Sequence, residues 1–291
     1  MTAPSPNHQA SVTLSVVSHG HGQQVLDMLH TFIQSGLLRY WQVQAIVTLN
    51  IPEPGLGRAL RQTQWPFPVQ ILENTHPMGF GANHNQASRH IHSNWLCIVN
   101  PDIRWCAMDA AQAPDHLATT LTMPNTASGT HIGLYCPIQV TTEGLRQDYA
   151  RTLPTPWSVA LRWVARQCGI KKPLGVAPGT SQAHWVNGAC MLFPSAVYRQ
   201  LSGFNERYFM YCEDVDICLR LQLQGHQLAT IPITVVHAAQ RNTRYQRQHL
   251  YWHIRSLLKL WCSSTFWHYW LARHRILPHR TRPETGPRTG R

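Results

Sequence analysis

The stretch WLCIVNPD, Trp95–Asp102, sets the reading of the chain. An unbroken apolar run from Trp95 to Val99 predicts a buried strand, and Asn100, Pro101 and Asp102 stop it. Strands buried on both faces belong to helix-covered sheets, where ligands bind beyond the carboxyl ends of the strands. Asp102 therefore admits two readings. N-P-D is good turn chemistry, and a carboxylate at a strand end also suits Mg²⁺ or Mn²⁺.

The segments before it fit the same sheet. SVTLSVVS (11–18) predicts a strand broken by HGHG (19–22), and QQVLDMLHTFIQSG (23–36) has helical spacing through Val25, Leu26, Leu29, Phe32 and Ile33. VQAIVTL (43–49) and VQILEN (69–74) read as two more strands, with NIPEPG as punctuation after the first. GFGANHNQASRHI (79–91) reads as a glycine-led turn entering a helix. The resulting β-α-β-β-α-β order predicts an α/β fold with a mainly parallel, helix-covered sheet. Within GFGANHN, Gly79 would let the backbone approach a ligand, and Asn85 carries an amide able to bond a base or ribose.

Beyond Asp102, YCPIQV (135–140) and WVNGACMLF (185–193, interrupted at Gly188) predict strands, and TPWSVALRWVARQCG (155–169) and SAVYRQLSGF (195–204) predict helices. LATIPITVVH (228–237) predicts an apolar strand ending at His237, a residue that would matter if it faced Asp102, since imidazole completes metal sites. Between these lies YFMYCEDVDICLR, Tyr208–Arg220. The chain has only 13 Asp and Glu in 291 residues, yet Glu213, Asp214 and Asp216 fall within one turn of a helix start. Acids are favoured there by the helix dipole, Asp216 and Arg220 are spaced to pair, and Glu213 and Asp214 are left to face a cleft. Asp214 could then act as a general base, with Glu213 supplying a second charge or binding an acceptor.

These blocks, in this order, resemble the inverting family 2 glycosyltransferases with a GT-A fold, especially their bacterial rhamnosyltransferase-like branch. The resemblance runs from about Val12 to His237, through VTLSVVSHG, NTHPMGFGANHNQA, WLCIVNPD, DYARTLPTP, WVNGACMLF and GFNERYFMYCEDVDICLRLQLQG. It implies that Asp102 is the last acid of a DxD-type metal motif, with Asn100 in place of the first, and that His237 completes the Mg²⁺ or Mn²⁺ site. It further implies Asp214 as the base, Asp216 as a structural acid, Ser18 and His19 at the nucleotide, and Trp185 and Gly188 where donor sugar and acceptor meet. Arg151 lies in the Y-A-R segment of this branch. The implied reaction moves a sugar, L-rhamnose from dTDP-rhamnose by the branch resembled, from a nucleotide-sugar donor to a glycan or lipid-linked glycan acceptor. Two departures leave the nucleotide open: Ser18-His19-Gly20 replaces T-Y-N, and Asn50 stands without charge where the family has an acid.

Charge divides the chain. Residues 1–240 hold 14 Lys and Arg against 12 Asp and Glu, whereas residues 241–291 hold 11 against one, Glu284. A basic tail on a nearly neutral domain argues against a domain-wide nucleic-acid surface, so no nucleic-acid partner is expected. The competing readings are a basic nucleic-acid-binding protein, a catalytically silent member of the fold, and a transferase for galactofuranose or glucose. Residues 245–262 have apolar positions at Leu250, Ile254, Leu257, Leu258 and Trp261, with Arg255 and Lys259 opposite, which suits either an anionic membrane surface or packing on the domain. The organisation expected is a flexible tail (1–10), a catalytic domain (11–240), a C-terminal amphipathic helical segment (241–272) and a basic disordered tail (273–291). MTAPSPNHQA lacks the pattern of a secretory signal and no C-x-x-C pair occurs among eight cysteines, so a cytoplasmic protein, peripheral at most on the inner face of the membrane, is expected.

Overall fold

The computed structural model describes residues 9–108, 131–169, 183–238 and 247–275. Its first part is β1 (Ala10–Ser18), α1 (Gly22–Gln34), β2 (Trp41–Leu49), α2 (Pro54–Gln62), β3 (Val69–Glu73), α3 (Phe80–Ser88) and β4 (Trp95–Val99). The expected order gains a helix and becomes β-α-β-α-β-α-β. Helix α2 is hidden in PGLGRALRQ by two glycines, but Pro54 sits at its start, where its missing N–H costs nothing, and Leu56 and Leu60 are buried one turn apart.

The second part is β5 (Ile103–Trp105), β6 (His131–Val140), β7 (Ala150–Arg151), α4 (Pro156–Gln167), β8 (Trp185–Val186), β9 (Cys190–Pro194), α5 (Ser195–Gln200), α6 (Glu213–Leu223), β10 (His226–His237), α7 (Arg247–Trp261) and α8 (Ser264–Arg275). The strand expected over 185–193 is therefore two strands, split at Asn187–Ala189.

The eight-stranded sheet runs β3-β2-β1-β4-β9-β6-β10-β5. Only β9 and β5 oppose the common direction, so the sheet is largely parallel, as predicted. Val12, Leu14 and Val16 of β1 pack with Val25, Met28, Leu29 and Phe32 of α1 on one face. Leu96 and Ile98 of β4 pack with Ile217, Cys218 and Leu221 of α6 on the other. Because both faces are covered, every residue of β4 is buried.

The C-terminal helices are docked on this core. Leu257 and Leu260 of α7 and Phe266 and Tyr269 of α8 close over Tyr208, Cys212, Val215 and Leu219. This corrects the expected apolar face of residues 245–262. Leu250, Ile254 and Leu258 point outward at 51–55% exposure, and the face turned inward carries His249, Trp252, His253, Ser256 and Lys259 as well as Leu257 and Leu260. The boundary placed at 273 is corrected too, because α8 runs on through Arg275. The rest of the basic tail lies outside the described residues, as do residues 1–8.

Candidate active site

The carboxyl ends of β1, β2 and β4 form one rim. Ser18 pairs in register with Leu49, so Ser18, His19 and Asn50 lie together, and the Asn50 amide nitrogen donates to His19 Nδ1 at 3.2 Å. At the end of β4 the Asn100 N–H donates to Ala189 O at 2.8 Å, which joins N-P-D to the turn between β8 and β9. A cavity of about 640 Å³ opens at the ends of β2 and β3, lined by Leu49, Ile51, Pro54, Arg58, Glu73 and Asn74 among others.

Asp102 and His237 do meet, with Oδ2 and Nε2 3.5 Å apart. The cause is a strand the sequence reading omitted. β5 returns antiparallel along β10, pairing Ile103 with His237, and the Ala238 N–H donates to Asp102 O at 3.3 Å. Gln147 then fixes the imidazole. Its amide nitrogen donates to the carbonyls of His237 (2.6 Å) and Val140 (3.3 Å), so its oxygen is the atom turned to His237 Nδ1 at 3.1 Å. An amide oxygen only accepts, so Nδ1 must carry the proton. A neutral imidazole then presents its Nε2 lone pair to a carboxylate, and Asp102 Oδ1 is buried with no donor. If Nε2 is protonated, the two form an ion pair. Burial raises the Asp102 pKa, but the hydrogen bond to His237 and its charge, aided by His21, bring it below the usual carboxylate value.

This donor set fits a divalent cation. A carboxylate and an imidazole whose far nitrogen is held by an amide are suitable ligands for Mn²⁺ or Mg²⁺. Among the described residues no three His, Cys, Asp or Glu side chains converge on one metal position. The described residues therefore offer two ligands, and phosphate oxygens and water suit the remaining positions.

The acidic helix start divides into three roles. Asp216 is fully buried and pairs with Arg220 at 2.7 Å, while Arg220 also donates to the carbonyls of Leu201 and Gly203. Glu213 is buried as well, with Oε2 unpartnered, so it does not face an open cleft as expected. Asp214 alone of the three is partly buried rather than buried. Its Oδ2 accepts the Gly188 N–H at 3.1 Å and its Oδ1 accepts the Val215 N–H at 2.8 Å. Burial raises its pKa, against the pull of those two N–H groups and of Arg151. Burial, then the nearby Asp214 charge, lifts Glu213 well above the carboxylate range. The two are coupled, and the Gly188 and Val215 N–H groups, with Arg151, favour the charge on Asp214 over Glu213.

Arg151 and Trp185 stand opposite each other in the β7–β8 pair, with the guanidinium 5.2 Å from the indole ring. The arginine Nε donates to Asp148 O at 2.7 Å and the indole N–H to Thr152 O at 2.9 Å. Gly188 and the charge of Arg151 act on Asp214.

Three expected ligand residues have partners within the protein. The Asn50 oxygen accepts from Asn74 and from the Met78 N–H, and its nitrogen also donates to Met78 O. Asn85 uses both ends of its amide, donating to Phe204 O and Glu206 and accepting from Tyr198 and the Phe204 N–H. Gly79 is small because a Cβ there would lie 2.6 Å from Phe209 O, so the backbone it admits is the chain's own. Conversely, the sequence reading missed Gln147 and the Gln139–Asn187 amide pair (2.7 and 2.9 Å) that braces the turn before Gly188. Lone amides distant in sequence leave no local pattern.

No protein-family model matches the chain. It is 26% identical over 204 residues to rhamnosyltransferase WbbL of Escherichia coli, covering 69% of this chain and 73% of that protein. It is 27% identical over 182 residues to an N-acetylglucosaminyl-diphospho-decaprenol L-rhamnosyltransferase of Mycobacterium tuberculosis; the match takes in 56% of this chain and 53% of that protein, about half its length. The fold is similar to that of a Pyrobaculum calidifontis mannosyltransferase solved with GDP-Man and Mn²⁺, with a TM-score of 0.55 at 17% identity over 95% of this chain and 78% of that one. The chain has the GT-A glycosyltransferase fold. Its sequence is similar to those of rhamnosyltransferases.

Proposed function

We propose that this is an inverting, metal-dependent family 2 enzyme that transfers L-rhamnose from dTDP-rhamnose to a hydroxyl of a cell-surface glycan or lipid-linked glycan precursor. The rhamnose reading draws on the names of both relatives, and the lipid-linked acceptor on the diphospho-decaprenol substrate named for one of them. The observation that carries the chemistry is the Asp214 carboxylate, held by the Gly188 and Val215 N–H groups within reach of the Arg151 charge. Asp102 and His237 would hold Mg²⁺ or Mn²⁺, whose charge offsets that of the departing diphosphate. The cavity at the ends of β2 and β3 is large enough for the nucleoside.

The reaction is one in-line displacement. The acceptor hydroxyl attacks the anomeric carbon and its proton passes to Asp214. The bond from that carbon to the diphosphate breaks, the nucleoside diphosphate leaves with the electron pair, and the configuration inverts. Glu213, protonated and buried, leaves the negative charge on Asp214. Asp214→Asn should lower turnover about 10²–10⁴-fold, the usual worth of a general base, with donor affinity within about twofold. Near-normal turnover in that variant would remove Asp214 from the role. Thermal-shift screening of nucleotide sugars with and without Mn²⁺ tests the donor, and a larger stabilisation by another sugar nucleotide overturns the rhamnose assignment.

A lipid-linked acceptor fits the outer surface. Leu250, Tyr251, Ile254 and Leu258 of α7 and Trp157 and Leu161 of α4 are exposed, on a chain whose last 51 residues carry 11 Lys and Arg and one acid. Such a face suits an anionic lipid surface. No described helix is long and apolar enough to cross a membrane. Full-length protein should float with phosphatidylglycerol vesicles, and the variant carrying Leu250→Glu, Ile254→Glu and Leu258→Glu should not. Equal flotation of the two would overturn the assignment.

A further inference from the structure

Residues Arg207 to Cys212 lead directly into α6, and the C-terminal helices touch each of them. The Lys259 ammonium donates to Arg207 O, and Ser256 Oγ donates to Met210 O at 2.8 Å. The Tyr211 hydroxyl meets His249 Nδ1 at 2.9 Å, and its ring lies 5.0 Å from that of His253. Phe209 lies 5.1 Å from Trp252, and Tyr208 and Cys212 are buried in the cluster built by Leu257, Leu260 and Phe266. His249, Trp252, His253, Ser256 and Lys259 recur at helical spacing, so one face of α7 grips the segment. On the far side the Phe80 N–H donates to Phe209 O at 2.9 Å, over Gly79.

The segment held in this way is strained. Tyr211 (φ 70°) and Cys212 (φ 65°) are consecutive left-handed residues, and neither is glycine. A side chain makes that region unfavourable, so such residues persist only where their surroundings impose it. The turn they make is what delivers Glu213 and Asp214 to the first turn of α6.

We propose that α7 is a positioning element of the catalytic unit: His249, Ser256 and Lys259 hold the left-handed Tyr211–Cys212 turn and so fix the Asp214 carboxylate on the Gly188 amide. None of the three touches the reacting atoms; they act through the turn. The inference rests on Asp214 being the base.

The test uses the full chain with His249→Phe, Ser256→Ala and Lys259→Met combined. Releasing the turn lets Asp214 leave Gly188 and gain water. The expected result is a kcat at least tenfold lower with donor affinity within twofold. The acid limb of the kcat profile should also move to lower pH, because the burial that raises Asp214 is lost while Arg151 still attracts its charge. The groups facing Asp214 are Glu213 and Cys212 on its own segment, Cys218 on α6 and Arg151 on β7. All are unchanged in the variant, so the limb reports the carboxylate's surroundings. A merely structural role would lower the folded fraction and leave kcat per folded molecule and the limb where they were, which overturns the proposal. Should the triple variant not fold, Lys259→Met and Lys259→Arg carry the test. Arginine keeps the donor and should retain kcat, methionine should lose at least threefold, and equal rates overturn the proposal. Asp214→Asn run alongside separates the two failures. An active Asp214→Asn defeats the base assignment itself, whereas an inactive one with normal α7 variants defeats only the positioning role.

Discussion

The two acidic edges of the cleft are built in opposite ways. At the end of β4, Asp102 faces an imidazole, which outweighs burial and holds its pKa below the usual value. At the start of α6, Asp214 has backbone N–H donors and a neighbouring arginine, and burial prevails, so its pKa is raised. In the proposed mechanism one edge keeps a negative charge and the other accepts a proton. Titratable groups whose surroundings push them apart in this way mark a division of labour in a catalytic site. The edges meet through Asn100, Ala189 and Gly188, since one short turn is bonded to N-P-D on one side and to Asp214 on the other.

The largest effect should come from breaking the charge-keeping edge. Asp102→Asn removes the carboxylate beside His237, and with it several kcal/mol of stabilisation of the departing charge. Transfer should fall about a thousandfold and the Mn²⁺ requirement should rise steeply in initial-rate titrations. An unchanged Mn²⁺ dependence would separate Asp102 from any metal role.

Asp216 is the internal control for Asp214, since it sits two residues along the same helix. It is fully buried and arginine-paired, so Asp216→Ala strands Arg220 and should cost about 3 kcal/mol of stability by urea unfolding, the low end for breaking a buried pair. Turnover per folded molecule should change far less than in Asp214→Asn. If the two variants swapped behaviours, the assignment of base and anchor would be reversed. A smaller effect is expected at Gln147. Gln147→Leu keeps both proposed metal ligands but frees the His237 ring, and should weaken Mn²⁺ binding about tenfold by calorimetry, the usual worth of such a partner.

The contrast between the edges also explains what the sequence revealed. β1 to β4 were legible because each is a local apolar run between breakers, and Asp216–Arg220 because four-residue spacing fixes neighbours on a helix. Asp102 and His237 stood out singly, as a carboxylate at a strand end and an imidazole after an apolar strand, but their meeting was not legible, because it depends on β5, the three-residue strand IRW, too short and too charged to stand out. Helix α2 was masked by its glycines. The error on α7 has a different cause. Hydrophobicity placed Leu250, Ile254 and Leu258 on one face with Leu257 and Trp261, but those three are exposed, and the face that binds the domain carries His249, Ser256 and Lys259, whose partners are a tyrosine hydroxyl and carbonyls.

The smallest predicted effect is also the most discriminating for the proton-accepting edge. If Glu213 is neutral while Asp214 is charged, Glu213→Gln exchanges one neutral group for another. Turnover should then stay within about threefold and the acid limb of the kcat profile should not move. If Glu213 were charged instead, the substitution would remove a like charge beside the base, and the limb would move to lower pH. Stability gives an independent reading of the same proton. Glu213 is raised above its ordinary value of 4.5, so above that pH the unfolded chain has released a proton that the folded chain still holds. Stability contributed by this group is complete below pH 4.5 and is lost as pH rises toward its folded pKa. The amide of the Glu213→Gln variant has no such proton to release. The advantage of that variant over the native protein in urea unfolding should therefore be least near pH 4 and grow toward neutrality. An advantage independent of pH would mean that Glu213 titrates normally and that Asp214 does not owe its charge to a protonated neighbour.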